Sequence, residues 1–271
     1  MRKITAIPTL FLCFFLLAGM VSTASAATNY DISTSGRVVA FGDVHGAYDD
    51  WTAILMELGV IDKSLNWSGG NTHLVSLGDL IDRGPGSRAV VELLKKLDSQ
   101  AEQASGAVHM VLGNHEVMVM TGDLRYVSAA EFAAFAGDES AEDREAFYAD
   151  YRKFNPGGDD ATVRRTFDEQ YPAGYLALRK AFSQQGELGS WLIKQPFVVK
   201  VNDKVYMHGG ISSLGSESSI AELNKKLTGE LKGFLDSMDQ LRAAGVMPWH
   251  VDYHNRLQFL NARVEEFVAA N

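Results

Sequence analysis

Short apolar runs and helical stripes alternate along the chain, and polar motifs close the runs. Arg37-Val38-Val39-Ala40-Phe41 predicts a buried strand ending in Gly42-Asp43-Val44-His45-Gly46. Trp51, Ile54, Leu55 and Leu58 follow at i, i+3, i+4 and i+7, the apolar face of a helix. Thr72 to Leu77 predicts a second strand, which delivers Gly78-Asp79-Leu80-Ile81-Asp82-Arg83-Gly84. A second helix is expected from about Ser87, its N-cap, with Val90, Leu93, Leu94 and Leu97 inward. A third strand, Ala107 to Leu112, ends in Gly113-Asn114-His115-Glu116. Asp43 and Asp79 are 36 residues apart, Asp79 and Asn114 35. Each interval holds one helix between two strands, the length of a βαβ unit, so three polar motifs should stand at the carboxyl ends of neighbouring parallel strands. Open α/β sheets place their ligands at that edge.

From Val127 to about Gly189 the pattern turns helical and polar, with Phe132, Phe135, Phe147, Tyr148 and Tyr151 as apolar points. This predicts a helical insert over about residues 128–189, serving either as a wall beside the site or as a packing subdomain. Phe197-Val198-Val199-Lys200 and Lys204-Val205-Tyr206-Met207 flank Asn202-Asp203 and predict an antiparallel hairpin. Its second strand ends in His208-Gly209-Gly210, a fourth motif. Ile220 to Leu241 and Arg256 to Val268 read as amphipathic helices.

The beginning of the chain reads as a leader. Arg2 and Lys3 precede an apolar run from Leu10 to Val21, and Ala24-Ser25-Ala26 has the small-x-small pattern of a signal-peptidase site. The run is too short for a stable span, and Leu12 before Cys13 argues against a lipid-attachment box. Export to the periplasm or the medium is expected, with no stable membrane association after cleavage. Removing 26 of the 271 residues leaves 245, residues 27–271, as one large domain. Cys13 is the single cysteine, so the mature chain would use no disulfide. Loss of Arg2 and Lys3 moves the formal charge from −9 to −11. That surface argues against nucleic acid as a partner, and a phosphate site would need local positive charge.

Asp79, Asp82 and Arg83 crowd into five residues beside an apolar run, where charges are avoided unless they pair or bind a metal. In an extended segment Asp43 and His45, at i and i+2, share a face and can share one ion. Asp79 can bridge that ion to a second, with Asn114 and His208 completing the second ion's protein ligands. Oxygen and nitrogen donors without sulfur suit Mn²⁺, Fe or Zn²⁺ and do not choose among them. Two ions about 3.5–4 Å apart can generate a hydroxide near neutral pH and clamp a phosphoryl group for in-line attack. His115, facing away from the metals if extended, could protonate the leaving oxygen, with Asp82 orienting its ring. Arg83 can hold phosphate oxygens bidentately. His73 and His109 lie inside strands and are assigned structural roles.

Gly-Asp-x-His-Gly, Gly-Asp-x-x-Asp-Arg-Gly, Gly-Asn-His-Glu and His-Gly-Gly in this order resemble the signature of calcineurin-like metallophosphoesterases of the phosphoprotein phosphatase superfamily. Gly122-Asp123-Leu124-Arg125-Tyr126-Val127 looks like the bacterial-type, Shewanella-like protein phosphatase branch. The resemblance covers roughly Val38 to Ser212. It implies a four-layer αββα sandwich with two divalent metals between the sheets, and it supports the roles given above. It also places Asn114 and Arg125 among the substrate-binding candidates, a salt bridge within the insert being the plainer account of Arg125. The implied activity is hydrolysis of phosphomonoesters on Ser, Thr or Tyr side chains or small molecules. A dinucleoside-polyphosphate hydrolase is the alternative enzyme. After Gly210 the family's second phosphate-binding Arg and its Gly-His motif have no counterpart, so C-terminal strands are expected to be missing and a homologue with impaired catalysis is the third reading. His250 and His254, four apart, could reach one ion from a helix face, although exposed pairs of this kind are common.

Overall fold

The computed structural model describes residues 30–210 and 218–270. The expected leader, residues 1–26, lies outside the described residues, as does the segment 211–217. Two three-stranded sheets carry the fold. In the first, β2 (Val38–Phe41), β3 (His73–Ser76) and β4 (Ala107–Met110) run parallel in that order. Helix α1 (Tyr48–Glu57) connects β2 to β3, and α2 (Ser87–Gln103) connects β3 to β4. Val38 pairs with His73 and His73 with Ala107, so the three strand ends stand side by side.

The second sheet sets β5 (Val198–Val201) between β1 (Asp31–Ile32), parallel to it, and β6 (Lys204–Met207), antiparallel. The expected hairpin is present, and Asn202 takes a φ of 56° in its turn. Strand β1 is an addition: residues before Arg37 read as a polar lead. Its bonds run to β5, with Asp31 and Lys200 separated by 169 residues, and such pairing leaves no local pattern.

Strand alternation builds the layers. Val75 and Val111 of the first sheet meet Val199 and Val201 of the second, with Val38, Leu77 and Tyr206 around them. Leu74, Val108 and Met110 point the other way, onto Val90, Val91, Leu94 and Leu97 of α2 and Trp51 and Leu55 of α1. The spacing of α1 also nominated Ile54 and Leu58, but these are 54% and 41% exposed. Among the described residues β2 is the edge of its sheet, and half of the α1 stripe has no element over it.

Helix α3 (Asn114–Thr121) leaves β4 directly. The 128–189 region holds α4 (Ala129–Phe135), α5 (Ala141–Phe154), α6 (Asp160–Gln170) and α7 (Tyr175–Ala181), and ends on the first residue of α8 (Gly189–Leu192). Ser128, Ser140 and Asp159 cap α4, α5 and α6 by accepting a backbone N–H. Phe147, Tyr148, Tyr151, Phe167, Tyr175 and Leu176 form a cluster of their own, while Phe135, Leu178 and Phe182 join the main core. Helix α9 (Ile220–Ala243) is pinned to β5 by buried Asn224, whose Oδ1 accepts the Phe197 and Val198 N–H groups and whose Nδ2 donates to the Val198 carbonyl. Helix α10 (Arg256–Ala270) follows. Among the described residues no helix is long and apolar enough to cross a membrane.

One cap differs from expectation. Gly86, not Ser87, is the N-cap of α2, and Ser87 is its first helical residue. The Ser87 hydroxyl is committed elsewhere, accepting the Asp82 N–H and donating to Glu131 of α4.

Candidate metal centre

Backbone bonds between two loops build the frame of the site. Val44 and His45 both donate N–H to the Asp79 carbonyl at 2.9 and 3.0 Å, Gly46 donates to Leu80, and Gly84 returns a bond to His45. His45, Asp79, Asp82 and Arg83 all have φ between 47° and 70°, a region that costs a non-glycine residue about 1–3 kcal/mol. Glu116 holds the strained loop in place. Its buried carboxylate accepts the N–H groups of Asp79, Leu80 and Gly113 at 2.9, 2.8 and 2.8 Å. Gly113 is glycine for want of room: a Cβ there would lie 2.2 Å from Asp79 Oδ1.

Five of the side chains named as metal ligands converge. His45 Nδ1–H donates to the Ile81 carbonyl at 2.9 Å and His208 Nδ1–H to the Leu77 carbonyl at 2.8 Å, so in the neutral rings both Nε2 atoms are bare acceptors. His45 Nε2 lies 3.5 Å from Asp43 Oδ2 and 3.9 Å from Asp79 Oδ2, is buried, and has no hydrogen-bond partner among the described residues. His208 Nε2 lies 3.2 Å from Asp79 Oδ2 and 2.9 Å from Asn114 Oδ1. Carboxylate, amide oxygen and imidazole lone pairs thus face one another with no donor among them. Acceptors packed in this way repel unless a cation lies between them, and the orphaned His45 Nε2 shows that the residues fit a divalent ion. Asp79 is common to both groups of three that could hold one: Asp43, Asp79 and His208, and His45, Asp79 and His115. The shared face of Asp43 and His45 arises from the turn at His45, with φ of 47°, and not from an extended segment.

His115 is also not extended. Asn114 and His115 open α3, and the helical turn separates them: Asn114 Oδ1 goes to His208 and the His115 ring to the other side of Asp79. His115 Nδ1 bonds Asp82 Oδ2 at 2.7 Å, its N–H donates to Asp79 Oδ1 at 3.0 Å, and Arg83 Nη2 lies 3.3 Å from its Nε2. Burial first, then the nearby Glu131 and Glu116 charges, pushes the Asp82 carboxyl up to about 8, with His45 pulling it down. Its Oδ1 has no hydrogen-bond partner among the described residues. A cation at Asp79 opposes that rise. Tyr126 closes this side, its ring 5.0 Å from the His115 ring and its carbonyl accepting the Arg83 N–H.

Three sequence candidates lie apart. Arg125 is engaged with Asp123 through Nε and Nη2, both at 2.9 Å, so the salt bridge describes it here. His254 Nε2 lies 3.0 Å from Asp123 Oδ2, whereas His250 packs its ring against Tyr151 at 5.2 Å. Both precede α10, so no helix face unites them, and they share no ligand group with the centre. His73 and His109 bond each other across β3 and β4 at 2.9 Å. Glu116, Ser87, Glu131 and Tyr126 had been given no role at the site. Glu116 carried a signal, an acid three residues after Gly113 at a helix start, which is half of a capping box; the other three meet the site only through tertiary contacts.

A sequence model of the calcineurin-like phosphoesterases matches residues 36–270. The chain belongs to that family. Among relatives of this calcineurin-like chain, Shewanella-like protein phosphatase 2 of Arabidopsis thaliana is 29% identical over 216 residues, covering 73% of this chain and 52% of its own. Shewanella-like protein phosphatase 1 of Plasmodium berghei (strain Anka) is 30% identical over 204 residues, covering 75% and 47%. The crystal structure of the cold-active protein-tyrosine phosphatase of a psychrophilic Shewanella species superposes with a TM-score of 0.55 at 28% identity, over 89% of this chain and 65% of that one. These relatives place the chain in the Shewanella-like branch of the family. The chain spans about half the length of the curated relatives it matches.

Proposed function

We propose that this calcineurin-like chain is an exported, two-metal phosphomonoesterase of protein-phosphatase type, acting on phosphorylated Ser, Thr or Tyr side chains or small phosphoesters. The observation that carries the reading is the meeting of Asp43, His45, Asp79, Asn114 and His208 as acceptors without a donor. Asp43 and His45 would hold one ion, Asn114 and His208 the other, and Asp79 both. Divalent ions there would supply charge neutralisation at phosphoryl oxygens and acidification of water.

The remaining steps belong to the chain's own groups. Arg83 now directs its guanidinium at His115 Nε2, the atom that must carry a proton to act as acid. A phosphate offers Arg83 a stronger, bidentate partner, so substrate binding draws the guanidinium away and frees Nε2 to take a proton. Asp82 fixes the ring through Nδ1, which aims Nε2 outward at a leaving oxygen. Asn114 can give its amide N–H to the same phosphate.

The test is Mn²⁺-dependent hydrolysis of an aryl phosphate by residues 27–271, with Asp79→Asn as blank. The reading expects metal-dependent turnover in the wild type and its loss in a folded Asp79→Asn. Equal turnover in the two proteins contradicts it. Comparing a phosphopeptide with diadenosine tetraphosphate separates a phosphomonoesterase from a dinucleoside-polyphosphate hydrolase. An amino terminus at Ala27 in protein recovered from the periplasm or medium tests export.

A further inference from the structure

Aromatic rings wall a cavity of about 820 Å³, among them Tyr151 and Phe154 of α5, Tyr171 after α6, and Phe259 of α10. His250 completes the wall, its ring 5.2 Å from Tyr151 and 5.7 Å from Phe154. Burial holds the His250 ring down to about 4, so it is neutral at pH 7, and its Nδ1 has no hydrogen-bond partner among the described residues. The lining also carries charge, but without a positive surplus. Asp123 is held by Arg125 and His254, and Asp252 accepts from Asn255. Two carboxylates against one guanidinium do not recruit a second phosphate or a carboxylate. Ring faces and edges recruit another ring.

Position decides what brings that ring. Asp123, Leu124 and Arg125 line the cavity, while the next residue, Tyr126, packs on His115 and lends its carbonyl to Arg83. The cavity and the candidate centre are therefore lined by consecutive residues of one loop, Arg125 on the cavity and Tyr126 on His115. A peptide bound at the centre brings flanking side chains that a small aryl phosphate lacks.

We propose that this cavity is a specificity subsite that receives an aromatic side chain flanking the phosphorylated residue of a peptide substrate. The inference rests on the phosphatase reading above. Its test uses the Mn²⁺-loaded full chain and phosphoserine peptides in which one tryptophan is walked through the flanking positions, against the same peptide with glycine there. At one position tryptophan should raise kcat/KM by about 3- to 10-fold, the range of an aromatic contact. Gln258→Trp and Ala262→Trp, on exposed α10 positions at the cavity wall, should bring that ratio back to one. Fluorescence polarisation of the same peptides on the metal-free protein reads the subsite without turnover. Equal affinity for tryptophan and glycine peptides at every position overturns the subsite, whatever the hydrolysis assay returns. A tryptophan preference in binding with no hydrolysis of any phosphoester overturns the phosphatase reading and leaves the subsite standing.

Discussion

At the scale of single residues, His115 is held by opposing neighbours: Asp82 takes one ring nitrogen and Arg83 the other. If His115 supplies the leaving-group proton, its loss should depend on the leaving group. His115→Asn is expected to lower kcat on phosphoserine peptides by about 10²–10⁴-fold and to spare aryl phosphates, whose phenolate departs without a proton. Steady-state kinetics on the two substrates checks this, and equal losses on both remove the acid role. Arg83→Ala should act differently, raising KM for every phosphate monoester, because it removes a phosphate contact that does not depend on the leaving group. Glu116 makes no contact with substrate in this scheme, yet it satisfies three buried N–H groups. Orphaned donors cost about 1–3 kcal/mol each, so Glu116→Ala should destabilise the fold by roughly 3 kcal/mol or more in denaturant unfolding.

At the scale of elements, the site depends on how closely the β3 and β4 loops approach. Gly113→Ala would drive a methyl group into Asp79. Overpacking of this kind costs about 1–3 kcal/mol, and the displaced Asp79 should weaken Mn²⁺ affinity in isothermal titration beyond what the stability loss alone predicts. Much of this level was legible in the sequence. The 36- and 35-residue intervals put Asp43, Asp79 and Asn114 at adjoining strand ends, and the register does the same. The parts that failed share a cause. Alternation describes strands, so it placed His45 and His115 as if extended, whereas His45 sits in a turn and His115 in the first turn of α3. Ser87 looked like a cap because Ser before an apolar stripe usually is one, but a tertiary partner, Glu131, took its hydroxyl. Strand β1 and the pairing of His254 with Asp123 cross more than a hundred residues and have no local signature.

At the scale of the whole molecule, buried acids couple the site to stability. The unfolded chain releases the Asp82 proton in the ordinary carboxylate range, while the metal-free fold keeps it up to about pH 8. Between those values the fold binds a proton that the unfolded chain lacks, so this stabilisation is present at low pH and lost as pH rises. His109 and His250, both pushed down to about 4 by burial, work in the opposite sense, but below the ordinary imidazole range. From pH 7 to 8 the Asp82 carboxyl contributes a fall, in the same sense as Glu116 and Glu131, which burial also pushes up. The Tm of EDTA-treated protein should fall across that interval, by the equivalent of about 1 kcal/mol, and Asp82→Asn should flatten the fall. Divalent ions should raise Tm at either pH, since they bind the folded acceptors and not the unfolded chain. If these acceptors hold two ions, metal content by mass spectrometry after dialysis against Mn²⁺ reads them as bound metal. Two ions per wild-type chain, and fewer in a folded Asp79→Asn, is the predicted result. A folded wild-type chain that retains none contradicts it.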